Sequence, residues 1–178
     1  MLDLYIFKYN PFDINDVPVN IIDNNLINDK KLIHYYSWVK LKEILLIYNI
    51  DISTMDIQYN RNGKPFIDIP YYFNISHSKD LILIAISDSS CGADIEYVDE
   101  ARNYKKLSKY IFKEEAKDID TFYINWVRME AVVKLNGESI LNNNLNDFEC
   151  YYNKIIDNNN LYYYAVAGSQ NIIIHNNL

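Results

Sequence analysis

Two short stretches, residues 81–86 and 91–96, constrain the fold of this chain most strongly. The first is an uninterrupted apolar run, and a turn-like Ser-Asp-Ser-Ser segment separates it from the second. In the second stretch apolar and acidic residues alternate, which is the pattern of a β-strand. Side chains two residues apart point to the same face of a strand, so Asp94 and Glu96 are predicted to stand side by side.

Two adjacent carboxylates repel each other unless a positive charge lies between them. Mg²⁺ prefers oxygen ligands, so Asp94 and Glu96 are candidate metal ligands. A solvated strand face that carries an Asp-x-Glu sequence by chance is the simpler interpretation of this pair taken alone.

Composition narrows the class of protein. With 178 residues, 49% hydrophobic and 23% charged, the chain can bury a core as a globular protein. The net charge of −7 disfavours nucleic acid as a partner. Two cysteines, Cys91 and Cys150, form neither a disulfide framework nor a zinc pattern, which favours a reduced, cytoplasmic compartment. The N-terminal residues lack the order of a signal peptide, and no apolar run approaches the roughly 20 residues that span a bilayer, so we expect no membrane association.

Apolar periodicity predicts an α+β fold with two similar lobes. Helices are predicted at residues 32–48, 102–113 and 121–136, and Gly137 is a stop signal for the last of them. Strands are predicted at residues 2–9, 57–59, 71–76, 81–86, 91–96, 148–156, 161–167 and 171–174. Each half thus contains a strand, then helix, then several strands. We therefore expect an N-terminal lobe of residues 1–88 and a C-terminal lobe of residues 89–178, packed as one unit with the active site between them.

Three further blocks contain residue types that bind phosphate or metal. The Gly-Lys-Pro sequence at 63–65 combines a glycine that allows close backbone approach with a lysine suited to phosphate. The Phe-Asn-Ile-Ser-His-Ser sequence at 73–78 ends a strand with hydroxyls and an imidazole. On the last predicted helix, Trp126, Glu130 and Lys134 follow at intervals of four and share one face.

Each block also has an ordinary interpretation. The first is a common turn, the second is a surface strand end, and the third contains a Glu–Lys pair of the kind that stabilises exposed helices by only about 0.2–0.5 kcal/mol. The functional interpretation depends on all of the blocks occurring together.

The order Gly-Lys-Pro, Phe-Asn-Ile-Ser-His-Ser, Gly-Ala-Asp-Ile-Glu and Trp-x-x-x-Glu-Ala-x-x-Lys resembles the 4′-phosphopantetheinyl transferases. Within that superfamily the chain is similar to the two-lobed type that activates surfactin synthetase, rather than to the short trimeric holo-acyl-carrier-protein synthases. The resemblance is strong over about residues 60–137 and weak in the N-terminal lobe and the last strands.

The resemblance implies transfer of the phosphopantetheine arm of coenzyme A to a serine of an apo acyl or peptidyl carrier protein, with release of 3′,5′-ADP. It implies Mg²⁺, or Mn²⁺ in its place, held by Asp94, Glu96 and Glu130. Glu130, Lys134 and His77 are the implied catalytic residues, with Glu130 as the base for the carrier serine. The residues implied in coenzyme A binding are Lys30, Lys31, Ser37, Gly63, Lys64, Pro65, Ser76, His77 and Lys134. We expect a monomer.

The sequence departs from the family pattern in two places. The family usually has a lysine just before the metal-binding glutamate of the helix, whereas this chain has Met129, with Arg128 beside it. In the first lobe, Ser37 matches an expected hydroxyl, but the accompanying basic residue is missing, and Lys30 and Lys31 are the candidates to replace it. If Met129 faces the phosphates, a slow enzyme is expected, and Met129→Lys should accelerate it.

Parts of the sequence are also compatible with two other functions. One is a degenerate module that binds coenzyme A or a carrier protein without turnover; the other is a metal-dependent phosphatase or nuclease, which would not explain the blocks at 63–65 and 73–78. A basic row on the predicted second helix is either a docking face for an acidic carrier or a solvated face. It consists of Arg102, Lys105, Lys106, Lys109 and Lys113.

Overall fold

A computed structural model of the chain describes residues 1–22, 29–137 and 150–178, with only the backbone of residues 29 and 30. The strands are β1 (Leu2–Lys8), β2 (Gln58–Tyr59), β3 (Pro65–Phe66), β4 (Tyr72–Ser78), β5 (Leu81–Ser87), β6 (Gly92–Tyr97), β7 (Cys150–Asp157), β8 (Asn160–Ala167) and β9 (Ile172–Asn177). The α-helices are α1 (Asp29–Ile47), α2 (Tyr104–Ile111) and α3 (Ile119–Asn136). A short 3₁₀ turn spans Ile14–Asp16. The predicted α+β class is confirmed.

The described strands form three sheets. The largest has the strand order β4-β5-β1-β9, in which β9 pairs in parallel with β1 and the other pairs are antiparallel. A second sheet has the order β6-β8-β7 and is antiparallel throughout. Strands β2 and β3 form a small hairpin of their own.

Strand β5 lies at the centre of the fold, and all seven of its residues are buried. Its even-numbered residues, such as Ile82 and Ile84, pack in a core with α1. Its odd-numbered residues, such as Leu81 and Leu83, pack against the inner face of the β6-β8-β7 sheet. A strand that is covered on both faces requires a continuous apolar run, which explains the sequence of residues 81–86.

The layers therefore follow the order α1, first sheet, second sheet, α3. Helix α3 covers the outer face of β6 and β8, where Phe122, Val127 and Ala131 form a third core with Tyr163 and Ala165. Strand β6 of the second sheet lies beside β4 of the first sheet and also contacts α3, so residues of β4, β6 and α3 lie close together.

Local chemistry explains where the helices begin and end. The Asp118 carboxylate accepts a hydrogen bond from Thr121 N at 2.7 Å, so α3 begins at Ile119, two residues before the predicted start. Gly137 ends α3 in the left-handed conformation, with φ of 66°, as the sequence predicted. Helix α2 is capped by Asn103 and is shorter than the predicted 102–113.

The C-terminal strand extends beyond its predicted limit of residue 174 and returns to the first sheet. Residues 148 and 149, where a strand was predicted to begin, lie outside the described residues. The division into lobes at residue 88 stays a prediction. None of the described helices combines the length and apolar character needed to cross a membrane.

Candidate active site

Helix α3 lies unusually close to β6 because residue 92 is a glycine. A Cβ at Gly92 would lie 2.0 Å from the Ala131 carbonyl oxygen and 2.4 Å from Leu135 N, so no side chain fits there. The helix backbone thus rests directly on the strand, and the acidic residues of β6 lie next to Glu130 and Lys134. An isolated glycine inside a strand pattern is the sequence signal for such close approach.

A cleft of about 340 Å³ opens where β4, β6 and α3 meet. Its lining consists of Ile75, Ser76, His77, Asp94, Ile95, Glu96, Trp126, Glu130 and Lys134. The structure therefore brings together the three predicted metal ligands, the three predicted catalytic residues and Ser76. Trp126, Glu130 and Lys134 all line this cleft, in keeping with the predicted helix row.

Asp94 is the most buried acid of the cleft, with 4% of its surface exposed. Its Oδ1 accepts hydrogen bonds from Lys134 Nζ at 2.6 Å and from Ser76 Oγ at 2.8 Å. Its Oδ2 is buried without a hydrogen-bond partner among the residues that the structure describes. Burial raises the pKa of the Asp94 carboxyl, although the charge of Lys134 opposes that shift.

The other two carboxyls of the cleft are also held in conditions that favour the protonated form. Burial, and then the negative charge of Asp94, raise the pKa of Glu96 and of Glu130. Arg102 opposes the shift at Glu96, and Lys134 opposes it at Glu130. All three shifts have the sign expected for carboxylates that lack sufficient positive charge nearby.

The chemistry of these donors fits a hard divalent cation, because carboxylate oxygens are its preferred ligands and Asp94 Oδ2 is buried and unpaired. Three carboxylates against one ammonium also leave net negative charge for a cation to balance. As they stand, however, no three His, Cys, Asp or Glu side chains in the described part of the chain are arranged to hold a metal ion. The assignment of Asp94, Glu96 and Glu130 as metal ligands stays a prediction.

A second cleft, of about 260 Å³, adjoins the first and shares Ile75 and Lys134 with it. It contains the predicted Gly-Lys-Pro block at residues 63–65, in the turn between β2 and β3. Gly63 has φ of 80°, a conformation that suits glycine in a tight turn. The block thus lies beside the carboxylate cleft, as expected for residues that would contact one extended ligand.

The side chain of Lys64 bonds to the backbone of two other segments. Its Nζ donates to the carbonyl oxygens of Cys91 and Lys134, both at 2.8 Å, and so ties the β2–β3 turn to β6 and to the end of α3. Burial lowers the pKa of Lys64. An ammonium group has three protons, so these two bonds leave one for a ligand. Phosphate binding by Lys64 stays a prediction.

His77 lies on β4 at the edge of the carboxylate cleft. Desolvation of the ring, and then the positive charges of His34 and Lys134, lower the pKa of His77, even though the residue as a whole is exposed. A lowered pKa favours the neutral ring, in which one nitrogen can donate a hydrogen bond while the other accepts one. The proximity of His34, on α1, was not anticipated from the sequence because the two residues are 43 positions apart.

The candidates from α1 are placed less clearly. Ser37 is fully buried, and its hydroxyl donates to the Ile33 carbonyl oxygen at 2.7 Å. Lys31 is in the first turns of α1, and the side chain of Lys30 lies outside what the structure describes. Binding of coenzyme A by Lys30, Lys31 and Ser37 stays a prediction.

The structure places Met129 and Arg102 differently from what the sequence suggested. Met129 is buried, with 3% exposed, so it does not face the cleft as a substitute for a phosphate-binding lysine would. Arg102 precedes α2 and therefore does not share a helix face with the lysines of α2. Its guanidinium lies 5.9 Å from the Trp126 ring centre, and its positive charge opposes the rise in the pKa of Glu96. Of the remaining basic row, Lys109 pairs with Glu115 at 2.5 Å.

Comparison with known proteins relates the chain to the 4′-phosphopantetheinyl transferase family, including Sfp-type homologues, at about 30% identity over about half of its length. No family model matches it. The 4′-phosphopantetheinyl transferase gsp of Aneurinibacillus migulanus is 30% identical over 107 residues, which are 56% of this chain and 45% of that protein. AcpT of Escherichia coli K12 is 34% identical over 97 residues, 47% of this chain and 50% of that protein. Sfp of Bacillus subtilis strain 168 is 29% identical over 103 residues, 52% and 46% of the two chains. The match thus spans about half the length of these relatives.

Proposed function

We propose that the protein transfers the 4′-phosphopantetheine arm of coenzyme A to a serine of an apo acyl or peptidyl carrier protein. The observation that carries this proposal is the meeting of Asp94, Glu96, Glu130 and Lys134 in one cleft beside the turn at residues 63–65. The relatives that match the chain are named as transferases of this arm, which supports the same reaction.

In the proposed reaction the carrier serine oxygen forms a bond to the phosphorus that carries the pantetheine arm. The bond from that phosphorus to the oxygen bridging the diphosphate breaks, and 3′,5′-ADP leaves with the electron pair. Because phosphoryl transfer demands little covalent work from the protein, positioning and charge stabilisation account for most of the catalysis.

Glu130 is the proposed general base, whose carboxylate accepts the proton of the serine hydroxyl. A base is most effective when its pKa lies near the operating pH, and burial together with Asp94 shifts the pKa of Glu130 in that direction. Lys134 and His77, which flank the same cleft, are proposed to donate hydrogen bonds to the phosphate oxygens.

Asp94, Glu96 and Glu130 are the residues that would hold Mg²⁺, or Mn²⁺ in its place. When bound, the cation would neutralise charge on the diphosphate. Lys30, Lys31, Ser37, Gly63, Lys64 and Pro65 remain the further candidates for coenzyme A contacts. We also propose two similar lobes in a monomer that acts in the cytoplasm, as the sequence suggests.

A binding module without turnover is the second candidate. Two observations favour it. The ammonium of Lys64 is already bonded to two carbonyl oxygens, and position 129 supplies no positive charge to the cleft because it is a buried methionine. Such a module would bind coenzyme A or a carrier protein but leave the carrier unmodified.

The test is an assay with Mg²⁺, coenzyme A and a panel of apo carrier proteins from fatty-acid, polyketide and nonribosomal-peptide assembly. Intact-protein mass spectrometry should show the carrier gaining the phosphopantetheine mass, and a carrier whose acceptor serine is changed to alanine should gain nothing. Glu130→Gln should remove the transfer. Coenzyme A binding without any gain in carrier mass would favour the binding module instead.

A further inference from the structure

Strand β4 is joined to β6 through its side chains. Alternate side chains of the 73–78 block reach across to β6 and accept hydrogen bonds from alternate backbone N–H groups. The three bonds run from Ala93 N to Asn74 Oδ1 at 2.9 Å, from Ile95 N to Ser76 Oγ at 3.3 Å and from Tyr97 N to Ser78 Oγ at 2.9 Å. In each pair the two residues are 19 positions apart, so the strands keep one register throughout. We call these contacts the β4–β6 ladder.

Both serines of the β4–β6 ladder make a second contact of the same kind. Ser76 Oγ donates to Asp94 Oδ1 at 2.8 Å, and Ser78 Oγ donates to Glu96 Oε2 at 3.4 Å. Each serine therefore accepts a hydrogen bond from a backbone N–H of β6 and donates one to the carboxylate of the β6 residue that precedes that N–H. The repeat of this pattern after two residues follows from the two-residue period of both strands.

The hydroxyl of Ser76 is fully used by these contacts. A serine hydroxyl offers one proton and two lone pairs. The proton goes to Asp94, while the lone pairs accept from Ile95 N and from Lys134 Nζ at 3.0 Å. Ser76 is also buried, with 7% exposed. A phosphate oxygen would receive a hydrogen bond from Ser76 only if Asp94 lost one.

We propose that Ser76 and Ser78 are positioning residues that orient the carboxylates of Asp94 and Glu96 toward a divalent cation. This inference rests on the proposed function only for the presence of that cation. It gives the 73–78 block a role at the metal ligands, whereas the family resemblance implied that Ser76 binds the phosphates of coenzyme A directly.

Two binding measurements separate these roles. Mn²⁺ affinity is measured without coenzyme A from the electron paramagnetic resonance signal of the free ion, and coenzyme A affinity is measured by calorimetry in EDTA. The variants are Ser76→Ala, Ser78→Ala and Ser78→Thr, which keeps the hydroxyl. Ser87→Ala is the matched control, because Ser87 is also buried, like Ser76, but its hydroxyl donates to the Met1 carbonyl oxygen, away from the cleft.

We expect Ser76→Ala to weaken Mn²⁺ binding about tenfold, as is typical when a group that orients a metal ligand is removed. Ser78→Ala should weaken it less, because its contact with Glu96 is longer, and Ser78→Thr should restore it. The affinity for coenzyme A in EDTA should not change. Unchanged Mn²⁺ affinity in Ser76→Ala, or a loss of coenzyme A affinity in EDTA alone, would overturn the inference, as would wild-type protein that binds no Mn²⁺. Absence of transfer activity with the Mn²⁺ pattern intact would instead count against the proposed function.

Hydrogen exchange tests the β4–β6 ladder itself. The amides of Ile95 and Tyr97 should exchange slowly in the wild type, and Ser78→Ala should accelerate exchange at Tyr97 but leave the amides of β5 unchanged. Rapid exchange at Ile95 and Tyr97 in the wild type would contradict the β4–β6 ladder.

Discussion

Lys134 of α3 and Asp94 of β6 form an ion pair in which Nζ lies 2.6 Å from Oδ1, with 27% and 6% of their side chains exposed. The pair joins the helix to the strand at the cleft that we propose as the active site. Lys134 thereby serves as the built-in counter-ion of a carboxylate that would otherwise be buried without a compensating charge.

Replacing Lys134 with methionine should destabilise the fold, because it leaves the Asp94 carboxylate buried with Ser76 as its hydrogen-bond donor. We expect a loss of about 3 kcal/mol in the free energy of unfolding, as is typical when one partner of a buried pair is removed. Urea denaturation measures this loss. Lys109→Met, which breaks the exposed pair with Glu115, is the matched control and should cost much less. Equal losses in the two variants would contradict the role given to Lys134.

Glu130→Gln should change the pH dependence of stability. The pKa of Glu130 is raised in the folded protein, so its contribution to stability is complete below the unfolded pKa of about 4.3 and is lost as the pH rises through the folded pKa. Glutamine does not ionise and avoids that loss. Without metal, the variant should therefore gain stability relative to the wild type as the pH rises above about 4.3 and through the folded pKa, as measured by melting temperature.

Glu115→Gln is expected to change stability in the opposite direction, because the pKa of Glu115 is lowered in the folded protein. Lys109 lowers the pKa of Glu115, so this carboxylate stabilises the folded protein above its unfolded pKa and loses that effect as the pH falls through the folded pKa. The variant should be less stable than the wild type at pH 7 and should approach it in acid. A parallel response of the two variants would show that the cleft does not control the titration of Glu130.

Gly92→Ala should force α3 away from β6, since the new methyl group would lie 2.0 Å from the Ala131 carbonyl oxygen. Overpacking of this kind costs typically about 1–3 kcal/mol, and we expect the upper part of that range because the three atoms nearest to the new methyl group all belong to the helix backbone. Mn²⁺ affinity should fall with stability. Gly63→Ala is the control: its Cβ would meet nothing within 4 Å, so only the strain of its positive φ applies, about 1 kcal/mol. Normal stability of Gly92→Ala would contradict the close packing.

Met129→Lys should lower both stability and activity. The residue is buried, so a lysine there must either enter the core as an uncharged amine or displace its neighbours, and both are costly. Met129→Leu, which conserves volume, should cost less than about 1.5 kcal/mol. Thermal melting and transfer rate on the two variants measure the effect. Faster transfer with unchanged melting in Met129→Lys would restore the view that a cation is missing from the cleft.

The parts of the site that local periodicity determines were predictable from the sequence. The two-residue period of β6 placed Asp94 beside Glu96, and the four-residue interval on α3 placed Glu130 and Lys134 together. These residues line the same cleft in the structure.

Contacts between distant segments were not predictable in the same way. The β4–β6 ladder depends on the register of two strands in different sheets, which no local pattern encodes. Lys64 was a candidate phosphate ligand because of its residue type, yet its partners are backbone carbonyl groups 27 and 70 positions away. The return of β9 to β1 also depends on packing of the whole chain.

Calorimetry of coenzyme A binding, with and without Mg²⁺, on the wild type and on Asp94→Asn tests whether the cleft carboxylates hold a cation that helps to bind coenzyme A. We predict that the wild type binds coenzyme A, that Mg²⁺ strengthens this binding, and that Asp94→Asn removes the Mg²⁺ effect. A wild type that does not bind coenzyme A, or an Asp94→Asn variant with an undiminished Mg²⁺ effect, would contradict it.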